Sequence, residues 1–297
     1  MGKEISLVEL SVHPVRGGGI MKKCLGSVLF TLIAVVMFSS TVFAWDDLIL
    51  LNHHAAIGEV GTAWGALGLR YNTAGDMYDQ DGEKQSLADD MTGIRVPIWG
   101  DYCINENLDA FAILPIVSTD DGTDSESGIG DIWLGAKYAL MQEGVLTVRG
   151  ALDIPTGDDE KGLGNAGGFG VDVAALTEKQ MDKIGLSGQL GVRYNAEDSD
   201  TKWEPGIGFY AGGRADYGFT EELFGFASLT YFNQGDGKTD GNDVKDSTVN
   251  WLELVIGGYY YIAESYWIAP VVDYTLTGAN TAADLGIGLY AGYNLVK

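Results

Sequence analysis

Strict alternation of apolar and polar residues, in segments of about ten residues, is the feature that most constrains this chain. In residues 184–195 the even positions are mostly apolar, whereas the odd positions carry glycine or polar residues such as Gln189 and Arg193. The same pattern runs through 129–141, 145–155 and 285–296. Because successive side chains of a strand point to opposite faces, this period predicts β-strands with one apolar face, not helices.

The order of strands and connections predicts the architecture. Short connections (104–107, 142–144, 177–183, 218–221, 263–264) alternate with longer ones (73–90, 119–128, 156–165, 196–204, 234–247, 277–284). An even strand number with alternating short and long connections is typical of a transmembrane antiparallel, up-and-down β-barrel, an all-β fold. The twelve predicted strands are 60–72, 91–103, 108–118, 129–141, 145–155, 166–176, 184–195, 205–217, 222–233, 248–262, 265–276 and 285–296.

A soluble β-sandwich or lipocalin-like barrel would also alternate. Two observations favour the membrane barrel. The polar face is lightly charged and rich in Gly, of which the chain has 43, so it would make a poor water-facing surface. Aromatic residues such as Tyr71, Trp99, Tyr194, Phe232 and Tyr293 also gather near strand ends, as expected for two interfacial girdles.

The N-terminal region predicts export. Lys22 and Lys23 precede a short apolar run at 29–38, and small residues lead to Ala44. This pattern predicts a secretory signal peptide at 21–44, cleaved after Ala44, with 1–20 an unstructured upstream extension and Met21 the true start. The barrel is expected at 60–297, and 45–59 is open as a periplasmic tail, an inserted plug or an early strand. No apolar stretch after Ala44 reaches eighteen residues, which excludes a helical membrane protein.

Charge narrows the function further. The chain has a net charge of −24, and without residues 1–44 it keeps 14 basic and 40 acidic residues, a net charge of −26. A nucleic-acid partner is therefore excluded, since such binding depends on clustered Lys and Arg. Many of the acids lie in the predicted outer loops, where they would concentrate cations and repel anions. Residues 79–83 superficially resemble a calcium loop but lack its full ligand spacing, so solvated loops are the default.

Pointing the polar face of each strand inward predicts the residues that line the lumen. Six are basic and five acidic, which suggests a nearly balanced interior. They could form a charged constriction that orients a solute, or ion pairs that hold the walls together, and we favour the latter because a buried charge needs a partner. At twelve strands we expect a narrow or partly plugged path. The predicted lining residues are Arg70, Arg95, Asp131, Lys137, Arg149, Asp153, Gln189, Arg193, Tyr210, Arg214, Asp216, Glu253 and Asp273.

The sequence gives little support for an enzymatic function. A barrel phospholipase needs a Ser activated by a His on the wall, but no predicted strand carries a His. The adjacent pair His53 and His54 is a weak metal motif, because neighbours in an extended segment cannot face one side. Every acid that could serve an aspartate-based barrel protease has a simpler loop or ion-pair explanation. We therefore predict no enzyme, no catalytic residue, no cofactor and no metal site.

Three stretches of sequence carry a family resemblance. Residues 128–138 read GIGDIWLGAKY and residues 152–158 read LDIPTGD, while 107–116 resemble a turn and third strand ending in Leu-Pro. Across about 91–296 the chain resembles the outer-membrane barrel family labelled as meta-pathway of phenol degradation transporters. The resemblance implies transport of aromatic molecules. Family barrels usually end on an aromatic residue that the assembly machinery reads, whereas here four residues follow Tyr293.

These observations predict a barrel in the cell outer membrane that passively conducts small molecules, with aromatic or hydrophobic solutes as candidates, through a narrow charged lumen. The alternative is a non-transporting barrel whose acidic loops serve a structural or surface-binding role. Expected partners are outer-membrane lipid, a small-molecule solute and the barrel-assembly machinery. The sequence does not specify the oligomeric state.

Overall fold

A computed structural model describes residues 47–51, 54–141, 146–158, 161–164, 168–200, 202–263 and 265–295. The expected extension at 1–20 and signal peptide at 21–44 lie outside these residues, as does His53. The helix α1 (Asp47–Leu51) precedes the strands. Within the described ranges, no helix has the length and apolar character needed to cross a membrane.

Strands make up almost all of the regular structure. They are β1 (Ala63–Tyr78), β2 (Lys84–Asn105), β3 (Leu108–Asp120), β4 (Ser125–Ile129), β5 (Ile132–Met141), β6 (Leu146–Ile154), β7 (Gly170–Met181), β8 (Ile184–Asn195), β9 (Trp203–Glu204), β10 (Gly208–Gly218), β11 (Leu223–Gln234), β12 (Lys238–Thr239), β13 (Asn242–Asp243), β14 (Val249–Ala263), β15 (Tyr266–Ala279), β16 (Thr281–Ala282) and β17 (Leu285–Leu295).

Twelve of these strands form one closed antiparallel barrel, and the other five are short strands in the connections. Closure comes from β1, which pairs with β2 on one side and with β17 on the other, with Ala63 opposite Leu295 and Thr73 opposite Leu285. The predicted all-β barrel and its strand number are confirmed. We call its two rims the short-turn end, where Ala63 and Leu295 lie, and the long-loop end.

Strand ends differ from the predicted bounds where backbone pairing with a neighbouring strand continues beyond the residues that alternate between apolar and polar. The structure begins β2 at Lys84 instead of 91, because Lys84 still pairs with Tyr78 of β1. In the same way β7 runs to Met181, which pairs with Ile184 across a two-residue turn. The backbone ladder, not the apolar pattern, sets these ends, since hydrogen bonds form wherever two strands stay side by side.

The two faces of each strand separate by polarity as predicted. On β8, Leu190 points outward with 65% of its surface exposed, whereas Gln189 and Arg193 point inward and are buried. Outward apolar side chains are exposed in the same way on most of the other barrel strands. A contiguous apolar surface that covers several strands marks a surface that contacts lipid or protein. Some aromatic residues expected in the girdles, among them Trp99 and Phe232, instead point inward, because they share the parity of the inward positions.

Glycine on the inward face makes room for large interior side chains. A Cβ atom added at Gly191 would lie 2.1 Å from Cζ of Tyr210, and one at Gly286 would lie 2.3 Å from a carboxylate oxygen of Asp273. Carbon atoms in contact are normally about 3.5–4.0 Å apart. The Gly excess is thus a packing requirement of a crowded barrel interior.

Candidate functional site

The N-terminal segment, residues 47–51 and 54–59, lies inside the barrel. Asp47 is 3.4 Å from Nη1 of Arg95 in an ion pair. The α1 carbonyl oxygens accept hydrogen bonds from the wall: Arg149 Nη1 donates to Leu48 O at 3.0 Å, and Gln189 Nε2 donates to Ile49 O at 2.9 Å. Of the three locations that the sequence left open for this region, the contacts correspond to the inserted one.

Further wall residues hold the segment between α1 and β1. The N–H of Ala55 donates to Oε2 of Glu178 at 3.0 Å, and its carbonyl accepts a bond from the Thr147 hydroxyl at 2.6 Å. The N–H of Gly58 donates to Oδ2 of Asp109 at 3.3 Å. Such bonds matter because an unpaired backbone group away from water is costly.

Apolar contacts add to this anchoring. Leu48 packs in a cluster that includes Trp99, Phe111 and Trp133, and its side chain is fully buried. Ile49 packs in a second cluster, with Leu176, Tyr210, Phe232 and Trp251. Each side chain therefore fills a pocket on a different side of the interior, and the short helix bridges the lumen.

A hydrogen-bonded group around Asp172 lies beside α1. Its carboxylate is 3.2 Å from Nη2 of Arg149 and 3.3 Å from Nη2 of Arg193, and it accepts a bond from the Tyr210 hydroxyl at 2.7 Å. All four side chains are buried. One carboxylate thus joins two cations that the sequence had predicted, although Asp172 itself was not predicted.

Other predicted lumen residues pair in separate places. Lys137 lies 3.1 Å from Asp101 and 3.6 Å from Asp109. Arg214 donates from Nε to Asp216 at 2.9 Å, and its guanidinium carbon lies 3.7 Å from the centroid of the Phe226 ring.

The predicted acids Asp131 and Asp153 lie at the long-loop end, Asp131 directly before β5 and Asp153 on the neighbouring strand β6. Asp131 accepts a hydrogen bond from the N–H of Gly157 at 2.8 Å, and Asp153 accepts one from Asn195 Nδ2 at 3.3 Å.

The remaining predicted residues, Arg70, Glu253 and Asp273, lie on β1 and on the neighbouring strands β14 and β15. Arg70 of β1 donates from Nε to Asp273 Oδ1 at 3.0 Å and from Nη2 to Asp284 Oδ2 at 3.1 Å. Glu253 accepts a bond from the Thr275 hydroxyl at 3.1 Å. All thirteen predicted side chains thus point into the barrel, and eleven of them are buried, Arg95 and Asp216 being partly exposed. Whether they line a conducting path stays a prediction.

The interior is acidic instead of nearly balanced. Among the described residues, ten acidic and five basic side chains are buried. The acids that the sequence reading missed are Asp47, Asp101, Asp109, Asp172, Glu178 and Asp284. Four of them lie on β2, β3 and β7 at the parity of the inward positions, so the period-two pattern could have found them. Asp47 and Asp284 lie outside the barrel strands, where alternation gives no signal.

A cavity of about 250 Å³ lies below the N-terminal segment at the short-turn end. His54 and residues 56–59 form one side of it, and Nδ1 of His54 is 3.9 Å from Glu178 Oε2. Charged residues of both signs line its wall, among them the ion pairs of Lys137 with Asp109 and of Arg214 with Asp216. The aromatic residues that line it are Trp64, Trp99, Phe224, Tyr259, Tyr261 and Trp267.

The acidic loops gather at the opposite rim. In the connection after β3, the carboxylate of Asp121 accepts hydrogen bonds from the backbone N–H groups of Asp124 and Thr123 and from the Thr123 hydroxyl. These bonds lower the pKa of Asp121 to about 2. The group is therefore ionised at neutral pH, and it adds to a negative potential at this rim.

Comparison with known proteins gives these features a context. A family model described as "Putative MetA-pathway of phenol degradation" matches residues 71–258, more than half of the chain. The chain belongs to this family. The match spans β1 to β14 and so includes most of the phenol-degradation family's barrel in this protein. The predicted resemblance is confirmed.

Solved structures show the fold of this phenol-degradation family member. An outer membrane channel from Pseudomonas putida F1 has a TM-score of 0.70 and 17% identity, over 82% of this chain and 98% of that one. The translocator domain of the autotransporter NalP from Neisseria meningitidis has a TM-score of 0.52 and 14% identity, over 80% and 89%. The β domain of the Bordetella autotransporter BrkA gives 0.51 and 12%, over 80% and 100%. A comparison with curated protein sequences finds no match.

Proposed function

We propose that this protein is an outer-membrane channel that passively conducts small apolar or aromatic molecules. The observation that carries the proposal is the aromatic-lined cavity of about 250 Å³ inside a closed barrel, in contact with the inserted N-terminal segment. An apolar cavity of about 150 Å³ is enough to bind benzene. A single aromatic ring with small substituents therefore matches the space.

The exterior supports the proposed location. Outward-facing side chains such as Leu190, Ile256 and Ile287 are more than half exposed, and they would be stable in contact with lipid acyl chains. The family and the barrel fold also fit a protein that the barrel-assembly machinery inserts into the outer membrane. Signal cleavage after Ala44 belongs to the same proposal.

The N-terminal segment defines how conduction would be controlled. Because α1 is anchored on opposite sides of the interior, a continuous path requires residues 47–51 and 54–59 to shift or leave. The buried charges of the wall would then face water, and their excess of acids would favour cations over anions. The ion pairs have a structural role in the closed barrel and become a selectivity element when the segment moves.

A non-transporting barrel is the second candidate, and the filled interior is the observation that favours it. Single-channel recording of the purified protein in planar bilayers separates the two functions. The channel function predicts discrete, cation-favouring conductance, and liposomes that contain the protein should take up a charged monoaromatic that lipid holds back, such as benzyltrimethylammonium, faster than empty liposomes. Silence at all applied voltages, together with uptake equal to that of empty liposomes, would support the non-transporting barrel.

The variant Asp153→Asn refines this test. It removes one interior carboxylate without changing side-chain size, so the channel function predicts a reduced preference for cations. Asp121→Asn, which removes an exposed carboxylate in the loops, is the matched control, and its effect should fade as salt screens the rim. Equal selectivity of the two variants at high salt would contradict a role for the interior charges.

A further inference from the structure

Three buried carboxylates meet at the long-loop half of the barrel interior. Glu253 lies on β14, Asp273 on β15 and Asp284 between β16 and β17. Each is at most 1% exposed, and one carboxylate oxygen of each lies within 4.8 Å of the others. A shift in register between β14 and β15, next to Glu253, leaves Leu276 unpaired. Irregularities of this kind redirect side chains and occur often next to functional sites.

Hydrogen bonds account for four of the six carboxylate oxygens. Arg70 donates to both oxygens of Asp273 and to Oδ2 of Asp284, and the Thr275 hydroxyl donates to Oε2 of Glu253. The other two, Glu253 Oε1 and Asp284 Oδ1, are buried and have no hydrogen-bond partner among the described residues. Native proteins rarely leave buried polar atoms unsatisfied, and such an atom is often explained by a water or ion.

The charges around these oxygens point to the kind of ligand. Three ionised carboxylates and Arg70 together carry a net charge of −2, which a low-dielectric interior does not tolerate without compensation. One proton shared between the two unpartnered oxygens would leave a net charge of −1. A second proton could also be accommodated, because a carboxylate oxygen that accepts one hydrogen bond has a second lone pair, so proton binding is the outcome that measurements of metal binding have to exclude. A divalent cation would compensate the whole charge without protonation, and one carboxylate oxygen of each of the three residues is close enough to the others to share it.

We propose that Glu253, Asp273 and Asp284 form an internal binding site for one divalent cation of the oxygen-preferring class, such as Ca²⁺, Mg²⁺ or Mn²⁺. These ions take carboxylate and other oxygen ligands. Glu253 Oε1 and Asp284 Oδ1 bind the ion, Asp273 supplies the third carboxylate, and Arg70 stays as a neighbouring counter-charge. The site joins β14, β15 and the connection to β17, beside the strands that close the barrel.

The sequence could not reveal this site, because its ligands are separated by 20 and 11 residues and follow no metal-binding spacing. The acidic loops at the same rim would concentrate cations near it. The site is independent of solute transport, so either proposal can fail while the other stands.

Metal binding to the purified protein tests the site directly. The protein is unfolded in urea with EDTA, freed of metal, and refolded in detergent with Ca²⁺, Mg²⁺ or Mn²⁺ so that slow entry does not prevent binding. After gel filtration, elemental analysis should give about one tightly held ion per chain. Titration of the metal-free folded protein should give a saturable isotherm with the same stoichiometry.

Two variants assign the ion to these carboxylates. Glu253→Gln keeps the size and should weaken binding by at least tenfold, whereas Asp121→Asn should bind like the wild type. If Glu253→Gln does not refold, Asp284→Asn serves in its place. Absence of a retained ion in the wild type with all three metals would overturn the proposal. Retention by the interior variant equal to that of the wild type would also overturn it and place the ion in the loops.

Discussion

Replacement of Ile49 by Ala tests whether the N-terminal segment closes the lumen. The Ile49 side chain is fully buried among Leu176, Tyr210, Phe232 and Trp251, so the change leaves a cavity in the interior. Such a truncation costs about 2–5 kcal/mol. The cavity exists only while the segment occupies the lumen. Ile49→Ala therefore destabilises the plugged lumen, which we call the closed state, relative to the open state in which the segment has left its pocket.

The expected effect is large on the scale of channel gating. A difference of about 1.4 kcal/mol is a factor of ten in an equilibrium constant, so even about 2 kcal/mol raises the ratio of open to closed barrels by roughly 30-fold. Single-channel recording should show this as longer and more frequent openings. Liposomes that contain Ile49→Ala should also admit small cations faster than wild-type liposomes do.

Val60 provides the matched control, because it follows the same segment but is 56% exposed. Val60→Ala should change the open fraction by less than about twofold, since truncation of an exposed side chain leaves no cavity. Gel mobility with and without boiling in detergent confirms that each barrel is folded. If folded Ile49→Ala opens no more often than Val60→Ala, the segment does not gate the lumen.

Three further predictions concern the wall and the loops. Gly191→Ala should lower the temperature of heat modification because its new methyl group meets a buried tyrosine ring, whereas Gly100→Ala, with open space around its Cβ position, should not; equal effects would contradict the packing argument. Asp172→Asn should destabilise the barrel by about 3–5 kcal/mol, measured by urea unfolding in detergent, since it leaves two arginines without their shared carboxylate; a change below about 1 kcal/mol would refute this role. Thr123→Ala should raise the pKa of Asp121 from about 2 toward 3.8, because it removes a hydroxyl donor to the ionised carboxylate. NMR titration of the carboxyl carbon measures this pKa, and an unchanged titration would count against the hydrogen bond. The stability that the depressed pKa contributes is present above about pH 3.8 and is lost as pH falls through about 2.

Periodicity predicted the barrel well because both faces of each strand have strong and opposite requirements. Leu190 and Arg193 differ in parity, and each lies on the side that its polarity demands. The same rule explains the misplaced aromatic residues. Trp99 was assigned to a girdle from its position along the strand, although its parity with Asp101 directs it inward.

Features that depend on three dimensions were less accessible. Nothing in residues 47–51 and 54–58 alternates or repeats, so their place in the lumen depends on pockets assembled from distant strands. The grouping of Glu253, Asp273 and Asp284 likewise depends on barrel closure and on a register shift. Alternation shows which way a side chain points, but not its height in the barrel relative to residues on other strands.

The double pairing of β1 also has a consequence for biogenesis. Residues 54–62 lead directly from the interior into β1, the strand whose pairing with β17 seals the ring. One edge of β1, the first barrel strand to be synthesised, therefore stays unpaired until β17, the last one, is available, and the interior segment is attached to β1 throughout. Filling the lumen and completing the wall are thus coupled steps, and a chain that closes with its segment outside would trap an empty, acid-lined pore.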